Sequence, residues 1–310
     1  MFKIILVFGF LFTGSYISSS QSFVKYSEKK VKGNSSDQYK SMISNGAWCW
    51  FSDPRAIYYE GKYKRTYAGW IDNLGDVYIG YYDHDTQQIE TALIYDDLEI
   101  DDHNNPSILF DENGRLLVFF NMHMKGEQPL FLVKSTEPEN IDGWGVVKEL
   151  HLNDPSLKDM GSMNHTYTNP VKLSGENGRI YLFWRGVDGK PSFSFSDDNG
   201  ESWSIGKIFF MPERLYSFRR PYVKVYSDGA TRIHFTLTDG HPLKEVENNI
   251  YYFYYEKGSF WKADGSKILD IHELPIQPSE ADLVYEAAEN NPVARAWTWE
   301  IAQTDRKSVV

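Results

Sequence analysis

The sequence predicts an all-β protein, an antiparallel β-propeller with four complete four-stranded blades and the beginning of a fifth. Three observations predict it. Aromatic residues make up 16% of the 310, and the 21 Tyr and 19 Phe lie mostly in alternating, strand-like runs. A hairpin pattern recurs, most plainly as "NPSILFDENGRLLVFF" from Asn105 and "NPVKLSGENGRIYLFW" from Asn169. A third alternating run follows each hairpin, and a weaker fourth follows that, so the repeating unit holds four strands in about fifty residues.

Taken in chain order, residues 1–22 read as a secretory signal. Lys3 gives the positive start, Ile4–Phe12 the apolar core, and Ser18, Ser20 and Ser22 the small residues of a cleavage site. That core is too short to cross a bilayer, and no other stretch is long enough. The expected product is secreted or periplasmic, and bacterial. Residues 23–45 form a lead-in, and residues 46–310 the propeller.

The first unit starts at "DPRAIYYEGKYKRTYAGW" from Asp53 and continues through Val77–Asp83. The second pairs Ser107–Phe110 with Leu116–Phe120 across "DENG", where Asp, Asn and Gly suit a chain reversal, and adds Pro129–Ser135. The third adds Ser192–Ser196. The fourth, "RPYVKVYSDGATRIHFTL" from Arg220, adds Ile250–Glu256. Prolines 54, 106, 170 and 221 mark the four starts. Residues 262–292 read as a long irregular insertion. A fifth copy begins near Trp297, with Trp297–Ala302 as its inner strand and Thr304–Lys307 as its turn. The chain stops inside that unit, the pattern of a ring cut short.

"SDDNGESW", from Ser196, fits the Asp-box that joins the third and fourth strands of propeller blades. Ser196 and Asp198 would hold the turn and Trp203 would pack between strands, a structural task. Cys49 is the only cysteine, which excludes a cysteine-rich metal site and suits export without disulfides. A net charge of −11 argues against nucleic acid as a partner. An anionic substrate would need a local basic site working against the global field.

Such a site is legible at the hairpin mouths. The first blade offers Asp53, Arg55 and Asp72, and the second His103, Asn104 and His123. The third offers His165, Tyr167 and Arg185, and the fourth Arg220, Tyr222 and His241. Mouth loops ordinarily carry small polar residues, whereas these carry side chains that move protons and grip carboxylates. His103 and His123 flank one hairpin, so they are expected to meet.

"GAWCWFSDPRAIYY", "DDHNNPSIL" and "HTYTNPVKL" resemble the BNR-4 group of secreted bacterial proteins, from about Gly46 onward. That group includes ulvan lyases and related enzymes acting at rhamnose–uronic acid linkages on seven-bladed propellers. The resemblance implies a polysaccharide lyase acting by β-elimination on an acidic, rhamnose-linked polysaccharide. His103 and Tyr167 would transfer protons, with base and acid undecided. His123, Arg185 and Tyr222 would bind the substrate carboxylate, and Asn104, His165 and Arg220 are further pocket candidates. Some relatives hold a structural zinc with cysteines and histidines; this chain lacks the cysteines, so the sequence assigns no metal-ligating residues and requires no cofactor, and whether a structural metal is bound stays open. A glycoside hydrolase of the same linkage and a non-catalytic glycan-binding propeller are the alternatives. A sialidase is disfavoured, because the chain has no Arg-Ile-Pro start and one clear Asp-box.

Overall fold

The structure is a computed structural model that describes residues 40–123, 127–211, 219–245, 247–287, 295–303 and 308–309. The signal, lead-in residues 23–39 and the Thr304–Lys307 turn lie outside the described residues. Sheets follow one another along the chain, and every strand pairing within them is antiparallel.

The first blade contains β1 (Gly46–Ala47), β2 (Ala56–Glu60), β3 (Lys64–Asp72), β4 (Val77–Asp83) and β5 (Ile89–Tyr95). The second contains β6 (Ser107–Phe110), β7 (Leu116–Asn121), β8 (Leu130–Lys134) and β9 (Lys148–Leu150). The third contains β10 (Thr166–Leu173), β11 (Arg179–Arg185), β12 (Pro191–Ser196) and β13 (Lys207–Ile208). The fourth runs β14 (Val223–Ser227), β15 (Arg232–Thr238), β16 (Ile250–Glu256), β17 (Ser259–Trp261) and β18 (Lys267–Asp270), with β19 (Asp282–Tyr285) also on β16. The expected hairpins and third strands are therefore present within a residue or two of their expected bounds.

Strand alternation explains how the blades stack. In β7, Leu116, Val118 and Phe120 pack with first-blade residues such as Tyr67 and Ile79. The intervening Leu117 and Phe119 pack with Ile180, Leu182 and Trp184 of the third blade. Successive side chains leave opposite faces of a strand, so an inner strand apolar on both faces is wedged between two sheets. All six β7 residues are buried, and each fully buried Leu or Phe contributes about 1.5–3 kcal/mol. The third and fourth blades meet through Phe183, Phe209, Phe235 and Phe253.

Local signals behave as their chemistry requires. Asp111 Oδ1 accepts from the Asn113 and Arg115 amides at 2.8 and 2.9 Å. Gly114, at φ +76°, closes that turn in a region other residues enter reluctantly. In the Asp-box, Ser196 Oγ donates to Asp198 Oδ1 at 2.8 Å and accepts from the Gly200 amide at 2.8 Å. Trp203 packs beside the second-blade core. The asparagines preceding Pro106 and Pro170 tie the blade mouths to the incoming chain. Asn105 Oδ1 accepts from the Cys49 amide at 2.8 Å, and Asn169 Oδ1 accepts from the Asp53 amide at 3.2 Å.

Two expectations fail. The described part of the 262–292 stretch, 262–287, is not an irregular loop, because β18 and β19 complete the fourth sheet within it. Trp297–Ala302 is not a strand either. Extended pairing begins only at Ala302, where β20 (Ala302–Gln303) meets β21 (Ser308–Val309). Trp297 instead packs against Trp50, Phe51 and Tyr222. No helix among the described residues is long and apolar enough to cross a membrane.

Candidate active site

Three blades meet around one cluster. His103 lies in a single 3-10 turn, Asp102–Asn104, just before β6, and His123 lies just after β7. Hairpin pairing brings the two together. Their rings stack at 3.9 Å between centroids with planes 9° apart. Asp101, which sequence reasoning missed, joins them: Oδ1 accepts from His103 Nδ1 at 2.5 Å and from the His103 amide at 3.0 Å, and Oδ2 accepts from His123 Nδ1 at 2.8 Å. Glu99 braces the same loop, accepting from the His123 amide at 2.7 Å and from Asn104 Nδ2 at 2.9 Å. Asn104 is fully buried and positions backbone.

Tyr167 enters from β10 and lies 5.4 Å from His103 between ring centroids. Its φ of +66° is left-handed, at an irregular register between Thr166 and Asn169. Such a bulge re-aims a side chain at the cost of local strain. Arg185, ending β11, connects the rest. It donates from Nη1 to the Tyr222 hydroxyl at 3.3 Å, and its Nη2 lies 3.3 Å from His123 Nε2. Its guanidinium carbon sits 4.6 Å over the Tyr167 ring. Beneath this group, Cys49 and Phe51 pack with Tyr167 and Tyr222, so the segment between β1 and β2 forms part of the floor.

The electrostatics separate the groups. Burial opposes charge on Asp101, but hydrogen bonds from the His103 amide and from both histidine rings outweigh it and hold the carboxyl at about 2. Burial pushes His123 below its ordinary value against the pull of Asp101, and the charges of His103 and Arg185 act in the same sense as burial. Burial drives Tyr167 well above the ordinary phenol value despite Arg185, so it is firmly protonated. The Cys49 thiol is pushed up to about 11, chiefly by burial, and is not a thiolate.

Asp101, His103 and His123 each bring a ligand atom within 4.8 Å of the others. Within the trio each Nδ1 is already bonded to its own oxygen of Asp101, His103 to Oδ1 and His123 to Oδ2.

Some mouth residues are committed elsewhere. His165 is buried with Nδ1 bonded to the Gln128 carbonyl at 2.8 Å, and its Nε2 accepts from the Leu152 and Asn153 amides at 3.2 and 3.3 Å. Burial holds it down at about 4; it is a neutral brace between backbone groups and does not join the cluster. The Arg220 stem lies against Gly189, where a β-carbon would sit 2.6 Å from its Cγ. Asp72 accepts from the amides of its own turn, Leu74 and Asp76, at 2.8 and 3.0 Å. Asp53 and Arg55 pair with each other at 2.9 Å beside the buried Lys224 and the exposed Glu300. They line a separate cavity of about 870 Å³ between the inner strands β2, β10 and β14.

A family model described as a BNR repeat-containing family member matches residues 65–310. The chain belongs to this BNR repeat-containing family. A curated relative, the ulvan lyase of Nonlabens ulvanivorans, is 25% identical over 175 residues, covering 52% of this chain and 36% of the relative. Among solved structures, a PL25 ulvan lyase bound to -[GlcA(1-4)Rha3S]- matches with a TM-score of 0.58 at 19% identity, over 80% of this chain and 61% of that one. The polysaccharide lyase Uly1 matches with a TM-score of 0.56 at 13% identity, over 83% and 62% of the two chains. At this identity the structural likeness establishes a common propeller fold, and function must be argued from the site. The chain spans less than two thirds of the length of these relatives.

Proposed function

We propose that this protein is a polysaccharide lyase that cleaves a uronic acid-containing, rhamnose-linked polymer by β-elimination. The observation that carries the reading is the convergence of His103, Tyr167 and Arg185 on one site from adjacent blades. The similarity to an ulvan lyase points to the same substrate class.

The chemistry divides among these three side chains. Arg185, steadied by the Tyr222 hydroxyl and by His123 Nε2, faces the uronate carboxylate and stabilises the charge that grows there as C5 loses its proton. His103 donates through Nδ1 to Asp101, which leaves Nε2 with a free lone pair to accept the C5 proton. Tyr167, kept protonated by burial, gives its proton to O4 as the C4–O4 bond breaks and the C4–C5 double bond forms. Its phenolate is then stabilised by Arg185 above the ring. Proton return through water resets both groups. The products are a 4,5-unsaturated uronate and a sugar with a new reducing end.

Hydrolysis of the same linkage ordinarily needs two carboxyl groups flanking the bond. Here Asp101 and Glu99 are both occupied as acceptors for protein donors. His103→Ala tests the catalytic reading against a binding module. Turnover is expected to fall by about 10²–10⁴-fold, the usual worth of a positioned base, while polymer binding changes by less than about threefold. Equal losses in both would make the site a binding site alone.

A further inference from the structure

We infer that Asp101 is a positioning residue, one carboxylate that fixes the tautomers of both site histidines and so gives the two rings different tasks. The inference rests on the lyase reading for its catalytic meaning, but its geometric content stands apart from it. Carboxylate–histidine pairs are common; here one carboxylate holds two rings, one on each oxygen. Oδ1 takes His103 Nδ1 and Oδ2 takes His123 Nδ1, and the rings stack 3.9 Å apart with their planes nearly parallel. An ionised carboxylate only accepts, so both Nδ1 atoms carry hydrogen and both Nε2 atoms carry lone pairs. The two lone pairs then meet different surroundings. His123 Nε2 faces Arg185 Nη2 at 3.3 Å, where it can only accept, and it orders the guanidinium. His103 is the more solvent-accessible ring, with 30% of its side chain exposed against 14% for His123, and its Nε2 is left for the substrate.

The same geometry limits charge. Two imidazolium rings stacked this closely repel, and Asp101 supplies a single negative charge to offset one of them. The pair is thus built to hold one added proton, the one taken from substrate, with Asp101 stabilising the imidazolium as it forms. Glu99, Asp102, Tyr167 and Arg185 also face or border the rings. Asp102 lies 2.8 Å from His103 Nδ1, yet the hydrogen bond to that nitrogen is Asp101's and the Asp102 side chain is half exposed. Asp101 is accordingly the residue whose removal frees the tautomers.

The test reads ring nitrogens directly. Histidine side-chain ¹⁵N spectra of the free protein, with His103 and His123 assigned by single substitution, are expected to show both rings as Nδ1–H tautomers near neutral pH. In Asp101→Asn the amide can serve at most one ring as acceptor, so at least one ring is expected to gain Nε2–H. In Asp102→Asn both are expected to stay as they are. Turnover of Asp101→Asn is expected to fall by about 10²–10⁴-fold with KM within about threefold, since the comparable carboxylate-to-amide change in the serine-protease triad costs about 10⁴. An Nε2–H tautomer on either ring of the wild type, or unchanged tautomers in Asp101→Asn, overturns the inference. Should Asp101→Asn not fold, the wild-type spectrum alone still decides. No substrate enters the spectra, so a wild type with the expected tautomers but no unsaturated product overturns the lyase reading and leaves this assignment standing.

Discussion

Replacing Arg185 by Lys isolates the contribution of the guanidinium fork, because the charge stays and the planar pair of donors goes. In the structure Arg185 holds three things at once: the Tyr222 hydroxyl at 3.3 Å, His123 Nε2 at 3.3 Å, and the face of Tyr167 at 4.6 Å. A lysine ammonium is a point donor that can reach one carboxylate oxygen and cannot lie flat on the ring. Losing one charge-assisted hydrogen bond to the substrate carboxylate costs about 1.5–3 kcal/mol, and the weakened contact with Tyr167 adds about 0.5–1 kcal/mol. Together these amount to about 2–4 kcal/mol, or roughly 30- to 1,000-fold in kcat/KM. Carboxylate charge grows as the C5 proton leaves, so most of the loss is expected in kcat rather than KM. Initial rates, followed by near-ultraviolet absorbance of the unsaturated product across a range of acidic polymer concentrations, give both constants. A variant within about threefold of wild type would remove Arg185 from the carboxylate site and with it the division of roles among the cluster.

Two further outcomes follow from the electrostatics. Tyr167→Phe keeps the ring under Arg185 but deletes the proton donor, so elimination is expected to fall by about 10²–10⁴-fold; a leaving group that needs no protonation should recover part of that rate, and equal loss on both kinds of substrate would count against Tyr167 as the acid. His165 has a folded value of about 4 against 6.5 for the free side chain, chiefly through burial. Its contribution to stability is whole above pH 6.5 and is lost as pH falls toward 4, by about 2–3 kcal/mol, because the unfolded chain binds a proton that the native state refuses. Urea unfolding at pH 7 and pH 4.5 should show a steeper fall for wild type than for His165→Gln, and parallel falls would contradict the neutral-brace reading.

The propeller was legible because its signals are local and repeated. The apolar runs Ser107–Phe110 and Leu116–Asn121, and the Asp-Glu-Asn-Gly turn between them, fix a hairpin without reference to the rest of the chain. β18 and β19 were not legible. They are four residues each and only partly buried, so they carry neither clear alternation nor a continuous apolar run. At the site, hairpin pairing alone brought His103 and His123 together. His165 and Tyr167 stand two apart and would share a face in a regular strand, but the left-handed Tyr167 and the register break after it separate them. No sequence pattern marks that break. Asp101 escaped notice although it opens the motif "DDHNNPSIL", because the mouth reading picked out His103 and Asn104 and passed over the carboxylates before them. Its signal was the carboxylate two residues before a histidine, a spacing at which Asp101 reaches both the amide and the ring of His103.

The central claim, elimination rather than hydrolysis or binding, is tested most directly by incubating the protein with a rhamnose-linked uronic acid polymer and measuring two quantities on one sample. These are the near-ultraviolet absorbance of 4,5-unsaturated uronate and the number of new reducing ends. The account predicts that both rise together, one unsaturated end for each reducing end. Reducing ends without unsaturation, or polymer bound with neither product formed, would contradict it.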